Sequence, residues 1–243
     1  MVDRATDDCQ LSIIVPMVNE AQALSDFLGQ LDHLGVRDDG RVEVIFVDGG
    51  STDESAAIVS GSGHTLVGCD RGRALQMNRG ADIARGAVLL FLHVDTRLPD
   101  DLSLDMLLTL TSQAPAGSVR VWGHFDVRIV GRHPLLPWVA GLMNVRSRLT
   151  GIATGDQGIF VKRATFSSLG GYADQPLMED IDLSRRLKKI SPPICIRQRL
   201  VTSGRRWDNN GLFRTVILMW RLRLAYWLGV PARRLAEAYY PES

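Results

Sequence analysis

The apolar residues of this chain fall into short runs separated by stretches with helical spacing. Four runs read as strands, at residues 11–16, 42–47, 64–67 and from 88 onward. Between the first two runs, apolar residues recur at intervals of three and four, which marks the buried face of a helix. Strands that alternate with helices in this way predict βαβ units and a largely parallel sheet.

The fourth run ends in polar residues. Its apolar positions are followed by His93, Asp95 and then Pro99, which cannot join a strand ladder. We interpret the run as a buried strand that delivers Asp95 to its carboxyl end, where ligands bind in open α/β sheets. A cap at the start of a following helix is the alternative role for Asp95.

The pattern changes after Pro99. Residues 119–129 alternate between apolar and polar, which predicts a half-buried strand added antiparallel to the sheet. Residues 133–149 contain two prolines among apolar residues, so we expect a broken helix or a mobile covering loop there.

Three acids, Glu179, Asp180 and Asp182, open a later helix whose second half is basic. Acids at the start and bases at the end complement the helix dipole, so this pattern by itself requires no function. A turn and strand at 155–161 and a helix at 164–169 precede it.

The composition is that of an ordinary globular protein. The 243 residues are 45% apolar and 23% charged with a net charge of +1, which argues against disorder and against strong attraction to nucleic acid. Three separate cysteines form neither a disulfide framework nor a zinc signature and suit a reducing cytoplasm. The polar first eight residues lack an apolar signal core, so we expect a cytoplasmic protein.

Residues 201–243 differ from the rest, with seven arginines against three acids and three of the five tryptophans. No run there approaches the roughly 20 apolar residues that cross a bilayer. Basic residues and tryptophan suit a membrane surface, so peripheral membrane contact through 201–240 is one hypothesis. Burial against the rest of the chain is the alternative, because Arg223 lies opposite Arg214 and Arg221 on a helix and interrupts a clean amphipathic stripe.

Four motifs occur in order, at residues 13–20, 47–53, 91–95 and 178–183. They contain Pro-x-x-Asn-Glu, Asp-Gly-Gly-Ser-Thr-Asp, His-x-Asp and Glu-Asp. Together they resemble the signature of family 2 glycosyltransferases with the GT-A fold, over about residues 11–187. The stretches 71–78 and 155–158 are similar to one bacterial subgroup, described only as sugar transferases and sometimes linked to arsenosugar biosynthesis.

The resemblance implies one GT-A domain over 1–243, with a mixed, mainly parallel sheet and helices on both faces. Residues 11–112 would form the nucleotide-binding half, 113–200 the acceptor and catalytic half, and 201–243 a helical tail. The implied reaction is inverting transfer of a sugar from a nucleotide-diphosphate donor, a UDP sugar, to an acceptor hydroxyl. The apolar segment 133–149 hints at an apolar or lipid-linked acceptor.

The resemblance also assigns the donor site. Its nucleoside pocket would be lined by Pro16, Asn19, Glu20, Asp48 and Gly49. An ionised Asp48 only accepts hydrogen bonds and would accept one from the uracil ring N–H, whereas helix capping is the alternative role for Glu20 and Asp48.

Further candidates lie on the later motifs of the subgroup. Arg71, Arg73 and Gln76 would contact the nucleotide, since guanidinium groups bind phosphate in two-point fashion; the arginines could equally be solvated. Asp156 and Gln157 are candidates for contacts to the sugar or the acceptor, or simply form a turn.

Asp95 takes the place of the last acid in the Asp-x-Asp metal motif of the family, and His93 replaces the first. Mg²⁺ and Mn²⁺ prefer oxygen ligands and waters, so one carboxylate with two phosphates can suffice. His93 is a metal ligand, a substrate contact or a packed histidine on this pattern, and a metal-independent site stays open.

We expect Asp180 to be the base that deprotonates the acceptor, supported by Glu179, because an inverting displacement needs only one carboxylate in line with the reacting carbon. Asp182 is better explained as helix-start structure. No glycine-rich loop follows the first strand, which disfavours nucleotidyltransfer and dinucleotide-dependent oxidoreduction. A non-catalytic scaffold that binds nucleotide sugars or membranes is the other hypothesis.

Overall fold

The computed structural model describes residues 9–112 and 120–239 of the chain. Its centre is a seven-stranded sheet in the order β3-β2-β1-β4-β6-β5-β7. The strands are β1 Leu11–Met17, β2 Val42–Asp48, β3 Thr65–Gly68, β4 Val88–Phe91, β5 Trp122–Val130, β6 Phe160–Lys162 and β7 Ile194–Ser203. Only β6 pairs antiparallel with its neighbours in the sheet, which confirms the predicted mixed, mainly parallel arrangement.

Helices cover both faces of the sheet. They are α1 Ala21–His33, α2 Ser55–Gly61, α3 Arg73–Ile83, α4 Leu104–Ser112, α5 Leu136–Thr150, α6 Arg163–Ser168, α7 Glu179–Lys188, α8 Arg205–Asn210, α9 Leu212–Trp227 and α10 Ala232–Tyr239, with a 3₁₀ turn at Gly155–Gln157. Successive residues of β1 enter different cores: Ile13 packs on the α1 side and Ile14 on the α3 side. A strand buried on both faces explains the continuous apolar run.

Strand β1 continues one residue past Pro16, where the sequence predicted its end. Ile14 accepts a hydrogen bond from Leu92 and is the last residue of β1 that pairs with β4. Because alternate residues bond to the same side, Pro16 points toward β4 beyond the last pair. The absence of an N–H group on Pro16 therefore costs no hydrogen bond between the strands.

The prediction for residues 119–129 is wrong in two respects; the first of these residues lies outside the described part of the chain. β5 runs parallel to β7, and the strand that runs against the sheet is β6. The polar residues His124 and Asp126 are also buried. Helix α5 covers that face, where Asn144 bonds Val127 and Arg148 pairs with Asp126 at 2.7 Å.

Residues 133–149 were predicted as a broken helix or covering loop, and this is wrong as well. α5 is a continuous helix of 15 residues that ends at Gly151 in the left-handed conformation. Pro134 precedes it and Pro137 lies in its first turn. Proline is tolerated there because the first N–H groups of a helix have no partner within it.

The tail begins in the sheet rather than in a helix, since β7 includes residues 201–203. After it come α8, α9 and α10, as predicted for a helical tail. The five exposed apolar side chains of α9 share one face and its arginines border that face, so the expectation that Arg223 interrupts an apolar stripe is wrong. Among the described residues no helix is long and apolar enough to cross a membrane.

Candidate active site

The carboxyl ends of β1 and β2 form one wall of the site, and two loops meet there. Asn19, which has a positive φ of 55°, accepts a hydrogen bond from the Thr52 N–H at 2.8 Å. Its own N–H donates to the Ser51 hydroxyl at 2.9 Å. Parallel strands bring these two loops to the same edge of the sheet, as the motif order predicted, with the half-buried Pro16 just before them.

Asp48 closes this wall at the end of β2. Its Oδ1 accepts from the Ser51 N–H at 3.1 Å and from the Ser51 hydroxyl at 2.5 Å. The carboxylate therefore fixes the Asp-Gly-Gly-Ser turn and is half-buried. It caps this turn rather than a helix, because α2 begins only at Ser55.

Gln76 lies beneath the wall rather than on its surface. Its Nε2 donates to the carbonyl oxygens of Met17 at 2.9 Å and Val47 at 2.8 Å, and the residue is 4% exposed. A Cβ on Gly49 would lie 2.9 Å from Gln76 Cδ and 2.8 Å from Val18 Cγ2. Gln76 therefore links the ends of β1 and β2, and Gly49 leaves room for its side chain. The sequence analysis predicted only a contact with the nucleotide for these two residues.

Asp95 lies on the turn after β4, at the carboxyl edge of the sheet. The nearest following helix, α4, begins at Leu104, so Asp95 does not cap it. Its Oδ2 is 3.8 Å from Arg205 Nη2, and the same nitrogen is 4.0 Å from Glu20 Oε2. Burial and the charge of Asp95 raise the pKa of Glu20, whereas Arg205 opposes that rise.

Arg205 reaches this position because β7 pairs with the loop after Asp95. Arg97 and Val201 exchange two backbone hydrogen bonds of 2.7 and 2.8 Å. That bridge places the start of α8 beside the ends of β1 and β4. Glu20 precedes α1, but its side chain makes no capping hydrogen bond with that helix. Its carboxylate instead lies 4.0 Å from Arg205.

His93 faces the 3₁₀ turn at Gly155–Gln157. Its Nδ1 is 3.5 Å from Asp156 Oδ1. A Cβ on Gly155 would lie 3.0 Å from the His93 ring, so glycine allows the turn to approach. The structure thereby brings together the His-x-Asp and Gly-Asp-Gln motifs.

Asp180 lies at the start of α7 and is held by backbone groups. Its Oδ2 accepts from the Gly155 N–H at 2.9 Å and its Oδ1 from the Ile181 N–H at 2.7 Å. Burial, and next the charge of Glu179, raise its pKa to about 6. A carboxylate with this pKa is ionised at neutral pH yet accepts a proton more readily than an ordinary aspartate.

Glu179 is 4% exposed and pairs with Arg73 at 3.7 Å between its Oε1 and the Nη1 of Arg73. Arg73 therefore reaches Glu179 from the start of α3. Arg71 is exposed in the preceding loop, and its contact with the nucleotide stays a prediction. Asp182 pairs with Arg186 at 2.7 Å within α7, in line with the structural role expected for it.

A cavity of about 490 Å³ opens above these carboxylates. Its polar floor contains Arg73, His93, Asp156, Glu179 and Asp180. Apolar side chains of α5 and α9 form its walls. The cavity therefore combines a charged floor with apolar walls.

Comparison with known proteins decides the class. The family model described as Glycosyl transferase family 2 matches residues 12–165, which is more than half of the chain. The chain belongs to glycosyl transferase family 2. It is therefore a transferase, and the match covers the wall at the ends of β1 and β2, Asp95 and the Asp156 turn.

Curated relatives of this glycosyltransferase come from mycobacteria. A PGL/p-HBAD biosynthesis glycosyltransferase of Mycobacterium tuberculosis is 28% identical over 90% of this chain and 86% of its own length. An uncharacterized glycosyltransferase of the same organism is 28% identical over 82% of this chain and 79% of its own length. These names do not test the arsenosugar link, which stays a prediction.

Solved structures share the GT-A-like fold of this glycosyltransferase. A mannosyltransferase from Pyrobaculum calidifontis in complex with GDP-Man and Mn²⁺ superposes with a TM-score of 0.61 at 20% identity, over 91% of this chain and 62% of that one. Glucosyl-3-phosphoglycerate synthase from M. tuberculosis, with Mn²⁺, UDP and its product, gives 0.60 at 19% identity over 93% and 82%. At such identities the likeness shows the fold.

The described residues contain no group of three or more His, Cys, Asp or Glu side chains that could hold a metal ion by themselves. However, Glu20 and Asp95 direct two oxygen ligands at one guanidinium group. The positively charged side chain of Arg205 lies beside both carboxylates. This donor set of hard oxygens fits a divalent cation that is shared with a diphosphate.

Two basic residues of the site were missed by sequence reasoning. Arg205 was noticed only as part of a basic tail, since its partners Glu20 and Asp95 lie 185 and 110 residues earlier in the chain. Arg146 lies in the cavity wall, where burial lowers its pKa and the charge of Asp180 opposes that shift. It was overlooked because its helix, α5, was predicted as a broken helix or a covering loop.

Gln157 and Asp156 are neighbours with different surroundings. Gln157 is fully buried; its Nε2 donates to the Ser147 hydroxyl at 2.9 Å and its Oε1 accepts from the Thr154 N–H at 3.2 Å. These contacts support the turn alternative for Gln157. Asp156 instead lines the cavity with a side chain that is 45% exposed.

We expect Gln157→Leu to lower the free energy of unfolding by about 2–4 kcal/mol, because it leaves buried donors and acceptors without partners. Asp156→Asn is the matched control, with a change within about 0.5 kcal/mol. Urea denaturation measures both. Equal effects of the two substitutions would contradict the different roles given to these neighbours.

Proposed function

We propose that this family 2 glycosyltransferase is inverting and transfers a sugar from a nucleotide-diphosphate donor, a UDP sugar, to an acceptor hydroxyl. The observation that carries the proposal is Asp180. It combines a raised pKa, two backbone hydrogen bonds that fix its orientation and a position at the floor of an open cavity. These are the properties required of a general base.

Asp180 accepts the proton of the acceptor hydroxyl as the acceptor oxygen attacks the anomeric carbon. The bond between that carbon and the diphosphate breaks on the opposite side, so one displacement inverts the configuration. Glu179 keeps the Asp180 pKa high, and Arg73 holds Glu179 by their ion pair. No second carboxylate needs to form a covalent intermediate.

For the donor, the wall built by Asn19, Asp48, Ser51 and Thr52 would receive the nucleoside. Asp48 is proposed to accept a hydrogen bond from a ring N–H of the base; uracil and guanine both carry such a donor whereas cytosine and adenine do not, and of the two we choose uracil. UDP in the solved glucosyl-3-phosphoglycerate synthase supports this choice. GDP-Man in the mannosyltransferase keeps a guanine nucleotide as the alternative.

A bound Mg²⁺ or Mn²⁺ would neutralise charge on the departing diphosphate. Asp95 would hold it, with Glu20 nearby, and His93 stays a candidate ligand. In the solved mannosyltransferase and synthase Mn²⁺ is present, which supports the use of a divalent cation. Arg205 and Arg73 supply positive charge near the same place.

The pH dependence of transfer should show the titration of Asp180. Only the ionised carboxylate accepts a proton, so kcat/KM should fall tenfold per pH unit below the pKa of about 6 and level off above it. Nucleotide binding over the same range, measured by calorimetry, is the control. A rate that is constant between about pH 5 and 8 would exclude Asp180 as the base.

A panel of nucleoside diphosphates and nucleotide sugars, with and without Mn²⁺, tests the proposed donor. Binding stabilises the folded state by mass action, by about 2.7 kcal/mol at a concentration of 100 Kd, so the preferred donor gives the largest rise in Tm. We expect UDP and UDP sugars to lead. A lead by guanine nucleotides would refute the uracil assignment, and silence of all donors would refute the donor class.

A further inference from the structure

Two helices beside the catalytic cavity expose continuous apolar stripes. On α5 the stripe consists of Trp138, Leu142, Val145 and Leu149, each between 54% and 81% exposed. On α9 it consists of Phe213, Ile217, Trp220, Leu224 and Trp227, each between 57% and 73% exposed. Steps of three and four residues keep each stripe on one face. At about 1.5 Å per residue the stripes are roughly 16 and 21 Å long.

Exposed apolar side chains are concentrated at this place. Elsewhere among the described residues, only Leu75, Val130 and Ile190 are large, apolar and exposed. The remainder lie on the stripes or at their ends, where Leu135 precedes α5 and Leu228 follows α9. A concentrated apolar surface of this size marks an interaction site.

The charge at the two helices indicates the partner. α5 and α9 together contain five arginines and no acid: Arg146, Arg148, Arg214, Arg221 and Arg223. Arg214 and Arg221 are exposed beside the α9 stripe. A broad apolar stripe bordered by arginines and carrying tryptophans is the pattern of a helix that lies in a bilayer surface with anionic lipids.

The cavity opens between the two stripes. Leu142, Val145 and Leu149 of α5 and Trp220 of α9 belong both to the exposed stripes and to the cavity wall. The beginnings of the two helices also pack together, because Leu136 and Ala140 of α5 share a buried cluster with Leu212 of α9. The apolar path from the surface therefore continues to Asp180.

We propose that the face formed by α5 and α9 docks on an anionic lipid bilayer and opens the catalytic cavity toward the lipid. The acceptor class that follows, which rests on the proposed function, is an amphiphile whose hydroxyl reaches Asp180 while its apolar part remains between α5 and α9. Docking itself requires no donor. Its failure would therefore leave the proposed sugar transfer untouched, and the reverse also holds.

Cosedimentation with vesicles of phosphatidylcholine, with and without a quarter of phosphatidylglycerol, tests docking of the full chain. We expect binding to the anionic vesicles that weakens with salt. Arg214→Gln with Arg221→Gln should weaken it roughly 30-fold, since each arginine near an anionic surface contributes about one kcal/mol. Ile217→Gln with Leu224→Gln should weaken it at least about tenfold.

Val130→Gln with Ile190→Gln is the matched control, because both residues are 50% exposed but belong to neither stripe. This variant should bind vesicles like the wild type. Equal losses in the control and the α9 variant would overturn the proposal, as would wild-type protein that ignores anionic vesicles at low salt. A dimer that the α9 substitutions disperse, without vesicle binding, would assign the face to a second copy of this chain instead.

Tryptophan fluorescence reports where the lipid lies. In a variant with Trp138→Phe and Trp227→Phe, Trp220 at the cavity rim is the remaining exposed tryptophan of the described residues. Vesicles with brominated acyl chains should quench its emission, and an unchanged Tm of the variant in the absence of vesicles reports an intact fold. Binding without quenching of Trp220 would show that the lipid contacts another surface, which overturns the proposal.

Discussion

Replacing Asp180 by asparagine is expected to lower the rate of sugar transfer by about 10²- to 10⁴-fold, the usual contribution of a general base. Asparagine has nearly the same shape but cannot accept the hydroxyl proton at neutral pH. The affinity for the nucleotide should change little, because the proposed nucleoside site lies at the ends of β1 and β2. Initial rates and calorimetry with the same nucleotide separate the two effects.

Asp182→Asn is the control for this substitution. Asp182 lies two residues further along α7 and pairs with Arg186 at 2.7 Å, so its loss removes a charge from the same helix without touching the floor of the cavity. We expect activity within about twofold of the wild type. An Asp180→Asn enzyme that remained as active as Asp182→Asn would disprove the assignment of the base.

The same substitution has a consequence for stability. The pKa of Asp180 is higher in the folded protein, at about 6, than its ordinary value of 3.8, so the folded state binds the proton more tightly than the unfolded state. Above about pH 6, the ionised Asp180 side chain therefore lowers the free energy of unfolding. This destabilisation disappears as the pH falls below 3.8, the ordinary pKa of aspartate. Asp180→Asn removes the destabilisation but weakens the hydrogen bonds from Gly155 and Ile181, so a net gain of about 1 kcal/mol is expected at pH 8 and less at pH 4. Thermal unfolding at both pH values measures it.

The second large effect is expected at Asp95. Asp95→Asn should lower transfer in the presence of Mn²⁺ by about 10²- to 10³-fold, because the charge that develops on the departing diphosphate loses its stabilising partner. Titration with Mn²⁺ should show that the rate no longer depends strongly on the metal. An Asp95→Asn enzyme with an unchanged metal dependence would contradict the role of Asp95 in holding the cation.

Arg205→Gln distinguishes the cation from the guanidinium group that lies beside the same carboxylates. Because Arg205 is 3.8 Å from Asp95 Oδ2 and 4.0 Å from Glu20 Oε2, it repels a cation held by those oxygens. Its removal should increase the affinity for Mn²⁺ in the absence of nucleotide by about three- to tenfold. Arg185→Gln on α7 is a control with the same change in charge, and an equal increase there would contradict the local effect.

The residues that could be predicted from the sequence follow strands or open helices. Asp48, Asp95 and Asp180 each come directly after an apolar run or before a helical pattern, and a parallel sheet brings such positions to one edge. Local pattern and motif order were therefore enough to locate them. Their roles required the resemblance to a family.

What the sequence could not show depends on contacts between distant segments. Gln76 and Gln157 look like polar site residues in a motif, yet both bond to groups that only the folded chain brings near. His124 and Asp126 look like the solvent face of a strand, yet α5 covers them. Arg205 joins the site because β7 pairs with the loop after Asp95.

Helix α5 shows how a local rule can mislead. Two prolines within four residues suggested a break, but Pro134 precedes the helix and Pro137 lies in its first turn, where a missing N–H costs little. The misreading hid Arg146 and the apolar stripe of α5. Both are central to the cavity and to the proposed docking surface.

The configuration of the first product tests the central claim most directly. With the donor that the panel identifies, in which the sugar is α-linked to the diphosphate, proton NMR before mutarotation reports the anomeric configuration of the sugar that is transferred or released to water. A single displacement with Asp180 as base predicts the β anomer. Initial formation of the α anomer would contradict the inverting mechanism.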